Sequence, residues 1–276
     1  MPASNARAVE KARSLACDVV ILDLEDAVAP DMKGEARAAA AEAVRSGGFG
    51  HREVVVRINA LDTPWGRDDA AVIGAAGPDV VLTPKIRARG DVEAYERALA
   101  QAPAATRLWL MIETPQALLR LDEIASGGGR LAGLCLGTND LAKETFARQT
   151  PDRAPFWTAM SLTIAAARAH GLIVLDGVHN EIDDLEALAA SCQQGAAFGF
   201  DGRTLIHPSH LALCNEAYSP PAGEVAWART VIAAFDDPAN AGVGALRVDG
   251  RLAERLHAAD ARRLVVIADA IAARGG

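Results

Sequence analysis

Short apolar runs recur along this chain, each closing on a polar or charged residue, with Ala- and Leu-rich stretches of helical period between them. The runs lie at residues 18–28, 53–59, 79–85, 108–112, 132–137, 171–178 and 196–202. The intervening stretches include Trp157 to His170 and Asp183 to Cys192. Strand-like runs alternating with helices imply a parallel sheet buried on both faces. The chain opens differently, with a helix over residues 5–16 that Ser4 or Asn5 can cap and that has no strand before it. A closed barrel needs eight strands, so a first strand is expected upstream of Met1, or the barrel is left open or closed by another segment. A doubly wound sheet is the alternative. Polar residues gather at the C-terminal ends of nearly all the runs, as a barrel's active-site face requires, and the pattern therefore predicts a TIM (β/α)8 barrel.

After Ser219 the pattern changes. P-P-A-G is a break, Glu224 to Phe235 reads as an amphipathic helix, and G-A-L-R-V-D-G-R-L-A-E-R-L predicts a hairpin turning at Asp249-Gly250, followed by a helix to Ala273. The division expected is 1–218 for a catalytic barrel and 219–276 for a small lid or oligomerisation segment. That segment is too short for a core of its own and should pack on other protein.

Composition narrows the class. The 276 residues suit one barrel plus an appendage. No apolar run approaches the roughly 18 residues of a membrane span, and M-P-A-S-N-A-R lacks a signal peptide's apolar region. A soluble, cytoplasmic protein is expected, with no membrane partner. A net charge of -8 without a long basic block argues against nucleic acid. Cys17, Cys135, Cys192 and Cys214 lack C-x-x-C spacing and read as reduced thiols.

The candidate chemistry centres on L-W-L-M-I-E-T-P and L-A-G-L-C-L-G-T-N-D-L. Each run closes on a carboxylate, Glu113 and Asp140. On neighbouring strands about 5 Å apart, two such acids need a proton or a cation between them, and two carboxylates plus waters and a substrate oxygen suit Mg²⁺. Arg57 closes another run; it either binds a carboxylate or enolate oxygen, or pairs with the acidic cluster Asp23, Glu25 and Asp26. Lys85 is a possible Schiff-base lysine, although nothing in the sequence depresses its pKa. Asn59 stands at the same end as Arg57. Lys33 and Arg37, one helical turn apart, form either a solvated face or a phosphate contact. His179 and His207 read as structural.

Taken together, D-L-E-D-A-V with its downstream K-x-x-x-R, V-R-I-N-x-x-x-T-P-W-G, P-K-I, I-E-T-P, L-G-x-x-D-L and G-F-D-G-R-T-L-I-H-P resemble, in order and over nearly the whole chain, the citrate lyase beta-subunit-like CoA-ester lyases. The resemblance implies a TIM barrel assembled as trimers or hexamers, with a C-terminal lid acting in a neighbour's site. It implies Mg²⁺ on Glu113 and Asp140, Arg57 steadying a substrate oxygen, and a CoA thioester as substrate, for which Lys33 and Arg37 stand as the candidate binding residues. Where related lyases carry a lid aspartate as acid/base, G-R-L-A-E places Glu254. The expected reaction cleaves or forms the carbon–carbon bond of a short 3-hydroxyacyl-CoA such as malyl-CoA or citramalyl-CoA, giving acetyl-CoA and a 2-oxoacid. The alternatives are malyl-CoA hydrolysis by a thioesterase, citryl-CoA cleavage, and a CoA- or oxoacid-binding protein without turnover.

Overall fold

The computed structural model describes residues 1–274, which fall into two compact units divided after Ala217. In the first, a parallel seven-stranded sheet runs in sequence order: β1 (Val19–Asp23), β2 (Glu53–Arg57), β3 (Val80–Thr83), β4 (Arg107–Ile112), β5 (Leu131–Leu136), β6 (Ile173–Asp176) and β7 (Gly202–Arg203). This is a TIM-like (β/α) architecture. In-order parallel pairing follows from the helical crossovers, which return the chain to the next strand with one hand. Beside β1, where an eighth strand would stand, Pro2 forms a parallel bridge to Asp23; the Asp23 amide donates to Met1 O at 2.8 Å and the Ala3 amide to Asp23 O at 2.9 Å.

Alternation along the strands decides what faces inward. Val19, Ile21, Val55, Val80, Leu82, Trp109, Met111, Cys135 and Leu175, all from strands, form one apolar cluster that fills the sheet's concave side. Two residues beyond Ile21, Val55 and Met111 come Asp23, Arg57 and Glu113, so the same alternation carries these three charges to the mouth above that core.

The recurrent motifs are largely devices of local geometry. Asn5 caps the helix α1 (Ala6–Ala12), its Oδ1 accepting from the Ala8 amide at 3.1 Å. In I-E-T-P, Thr114 caps α5 (Pro115–Leu118): its Oγ1 accepts from Ala117 N at 3.1 Å and donates to Ile86 O at 2.7 Å, with Pro115 in the first helical position. In T-P-W-G, Thr63 Oγ1 donates to Ala60 O at 2.6 Å, and Gly66 starts α3 (Gly66–Ala76) against that same carbonyl. A Cβ at Gly66 would lie 2.1 Å from Ala60 O, which is backbone and cannot step aside. Gly66→Ala is therefore expected to destabilise by about 1–3 kcal/mol or more, read as a lowered midpoint in chemical denaturation; an unchanged midpoint would refute the packing argument.

The expected strand over 196–202 is corrected. Residues 196–198 complete the helix α9 (Leu185–Phe198), Gly199 ends it at φ 106°, and the strand is only the two-residue β7. The apolar A-A-F belongs to the helix because the turn signal, Gly199, comes after it.

The second unit begins at Tyr218. It holds α11 (Ala222–Asp236), an antiparallel hairpin of β8 (Ala245–Val248) and β9 (Arg251–Glu254), and α12 (Arg255–Ala273). Asp249 and Gly250 take positive φ, 48° and 81°, as an Asp-Gly hairpin turn demands. Contrary to the expectation of no core, Ala228, Val231, Phe235, Val248, Ala253, Ala258 and Ala261 form a small apolar cluster of this unit. Alanines at the contacts let two helices and a hairpin close over one another despite the short length.

Candidate active site

Arg57, at the end of β2, holds the acidic cluster that follows β1. Its Nε and Nη2 donate to Asp23 Oδ1 and Oδ2 at 2.7 and 2.6 Å, a bidentate pair. Asp23 also accepts the Glu25 and Ala27 amides. Burial alone would push its carboxyl up, but Arg57 and these amides outweigh it and hold Asp23 below the usual carboxylate range. Arg57 Nη1 stands 2.8 Å from Glu25 Oε2 and 3.6 Å from Asp26. The Glu25 contact is close without being aligned as a hydrogen bond, for Oε2 is buried with no hydrogen-bond partner. Nη1 thus makes ion pairs and no aligned hydrogen bond to these acids.

Lys85 holds the other half. Its φ is 57°, a left-handed conformation costly for a residue with a side chain, and it directs both ends of the residue at carboxylates. The amide donates to Glu113 Oε1 at 2.7 Å. The ammonium lies 2.6 Å from Asp140 Oδ2, 3.4 Å from Glu113 Oε1 and 4.0 Å from Glu25 Oε1. Glu113 is 1 % exposed, and Gly137 makes its room: a Cβ there would sit 2.6 Å from Glu113 Cβ. Asp140 does not end a strand as expected. It lies in the first turn of α7 (Thr138–Thr145), past the end of β5 at Leu136, where a carboxylate suits the helix dipole.

Five acids, Asp23, Glu25, Asp26, Glu113 and Asp140, thus meet two cations, Arg57 and Lys85. Burial first, and this excess second, raise the pKa of the two buried glutamates. Burial, with Asp140 adding to it against Lys85, pushes Glu113 up to about 7. Burial, with Asp26 and Glu113 adding to it against Arg57, pushes Glu25 up to about 8. For Lys85 burial pulls downward, but Glu113, Asp140 and Glu25 outweigh it and raise the pKa. A lysine held charged is a poor Schiff-base nucleophile. The donor set fits a hard divalent cation: a carboxylate pair, surplus negative charge and a buried oxygen without a hydrogen bond. Mg²⁺, an ion that keeps waters and substrate oxygens beside one or two carboxylates, suits such a pair.

Residues 1–208 match the HpcH/HpaI aldolase/citrate lyase family. The chain belongs to that family. It is 44% identical over 275 residues to a (3S)-malyl-CoA thioesterase of Cereibacter sphaeroides, covering 100% of this chain and 95% of the relative. To the L-malyl-CoA/beta-methylmalyl-CoA lyase of the same species it is 33% identical over 298 residues, covering 99% and 94%. Among solved structures it is similar to the protein CitE of Mycobacterium tuberculosis in complex with magnesium, acetoacetate and coenzyme A, with TM-score 0.79, 29% identity and coverage of 98% and 96%.

The K-x-x-x-R pair, Lys33 and Arg37, makes its contacts around the loops that follow β1 and β2. Lys33 is buried and its ammonium donates to Leu24 O and Glu25 O at 2.8 and 2.7 Å, so it fixes the loop that carries Glu25. Arg37 Nε donates to Asp69 Oδ1 at 2.6 Å. Asn59 Nδ2 donates to Leu24 O at 2.9 Å and to Asp69 Oδ2 at 2.6 Å, which ties the β1 and β2 loops together. Glu254 belongs to the second unit, where its amide donates to His257 Nδ1 at 2.9 Å at the start of α12.

A second buried ionic network has no counterpart in the sequence reading. Asp176, wholly buried at the end of β6, receives a bidentate clamp from Arg153, while Arg203 of β7 lies 3.8 Å away and donates to Ser191 Oγ at 2.8 Å. Asp176 follows the inward-facing Leu175 and so points out of the barrel, toward α9. Strand parity at L-D-G was the available signal. His207 Nδ1 pairs with Ser209 Oγ at 2.7 Å and His179 Nε2 lies 3.7 Å from Glu181. All four cysteines are free.

Proposed function

We propose that this protein hydrolyses the thioester of a short hydroxyacyl-CoA of the malyl-CoA kind, with Mg²⁺ bound between Glu113 and Asp140. The observation that carries this reading is the gap in similarity: 44–45% identity to (3S)-malyl-CoA thioesterases over 99–100% of the chain, against 33% to the malyl-CoA/beta-methylmalyl-CoA lyases. Hydrolysis thereby moves ahead of the carbon–carbon cleavage expected from the motifs. When bound, Mg²⁺ supplies Lewis-acid polarisation of substrate oxygens.

The chain's own groups do the rest. Arg57 Nη1 donates to a substrate oxygen, with the guanidinium kept in place by Asp23. Glu25, whose carboxyl burial pushes up to about 8, is the proposed group for proton exchange near neutral pH. Glu254 is the proposed second acid/base, one methylene longer than the aspartate of related lyases. Arg37 meets a CoA phosphate by sharing its guanidinium with Asp69, and Lys33 contributes through the loop it fixes. No helix among the described residues is long and apolar enough to cross a membrane; a cytoplasmic enzyme working as a trimer or hexamer, with the lid acting in trans, completes the proposal.

Carbon–carbon cleavage remains the second reading, favoured by the lyase relatives and by the Glu254 position. Purified protein given malyl-CoA, citramalyl-CoA and citryl-CoA, with Mg²⁺ or with EDTA, separates the two. Free CoA plus the intact hydroxy acid, lost with EDTA, is the expected result. Acetyl-CoA plus a 2-oxoacid would make it a lyase, and tight binding without product a non-catalytic protein.

A further inference from the structure

We infer that Lys85 is a built-in competitor for the metal, so that the divalent cation enters by exchange with its ammonium and not by simple addition. The inference rests on the reading of Glu113 and Asp140 as the ligand pair. The ammonium approaches both of those carboxylates, at 3.4 and 2.6 Å. It is a compact point charge with three donors on a side chain 25% exposed, and a second cation on the same oxygens would lie within a few ångströms of it. Like charges that close repel strongly away from bulk water.

The placement is imposed by the backbone. The left-handed φ of 57° at Lys85 points its amide at Glu113 Oε1, 2.7 Å away, and that anchors the start of the side chain beside the same carboxylate. The ammonium also has Glu25 Oε1 at 4.0 Å. A cation on Glu113 and Asp140 therefore displaces Lys85 toward Glu25, the acid that also faces Arg57. Binding strength then reflects a difference between two cations and is weaker than the carboxylate pair alone would give.

The test is calorimetric titration of MgCl₂ into EDTA-treated, dialysed protein, with no substrate and no turnover. Lys85→Met keeps the length and the backbone demand while removing the charge, and Lys85→Gln does the same with a polar end. Both are expected to bind Mg²⁺ about tenfold or more tightly than the parent. Lys85→Arg, which keeps the charge, should stay close to the parent. Equal or weaker affinity in both neutral variants, beside clear binding by the parent, overturns the inference and leaves the metal reading standing. No Mg²⁺ binding by the parent or by any variant overturns both.

Discussion

Glu113→Gln is expected to remove Mg²⁺-dependent turnover, lowering kcat/KM by about three orders of magnitude or more, while leaving the metal-free protein at least as stable as the parent. The two halves have one cause. A carboxylate at 1 % exposure is desolvated, and burial is the largest influence pushing its pKa to about 7. In the unfolded chain the same group titrates at its ordinary value of 4.5. Between those values the folded state holds a proton that the unfolded state has released, so stability falls as pH rises through the window. Glu25, pushed to about 8, extends the same fall slightly higher. Asp23 acts the other way: its lowered pKa contributes stability above its ordinary 3.8, and that contribution is lost only in acid. Thermal midpoints in EDTA should therefore decline from about pH 5 to pH 8, and Glu113→Gln should flatten the decline. Glutamine keeps the shape and an oxygen for the Lys85 amide but cannot carry the charge a divalent cation requires. Full Mg²⁺-dependent activity in this variant would remove Glu113 from the metal site.

The alternating runs were enough to place six of the seven strands and the hairpin, because buried parallel strands are continuous apolar stretches and an Asp-Gly turn has its own signature. The seventh strand was misplaced because A-A-F-G-F carries no period of its own; only the position of Gly199 divides helix from loop. For the site, parity along β1, β2 and β4 brings Asp23, Arg57 and Glu113 to one mouth, and this follows from the sequence once strand ends are known. Asp140 needed more, since it reaches Lys85 from a helix turn. The contacts of Lys85 are not legible for a definite reason: its left-handed backbone, which turns it onto Glu113 and Asp140, leaves no trace in P-K-I. The Arg153–Asp176 clamp joins a loop to a strand 23 residues later, and no periodicity links them.

Arg57→Met is expected to cost about 3–5 kcal/mol of stability and to abolish activity, and the size of the first effect reports on the second. Arg57 neutralises Asp23, whose side chain is 6% exposed, and removing it strands buried charge. The sequence left two roles open, a salt bridge within the acidic cluster or a contact to substrate. In the structure Nε and Nη2 are taken by Asp23, while Nη1 has no aligned acceptor in Glu25, and the proposed contact to substrate falls to Nη1. A double variant therefore separates the duties. Asp23→Asn in the Arg57→Met background should recover much of the lost stability in urea denaturation, since the stranded carboxylate is gone, and should recover no turnover. Arg57→Lys should keep most of the stability and still lose activity by about a hundredfold or more, because a single ammonium cannot bind Asp23 in two places and offer a third donor in a fixed plane. Turnover returning together with stability in the double variant would mean that Arg57 only holds the loop, and the substrate oxygen would then need another donor.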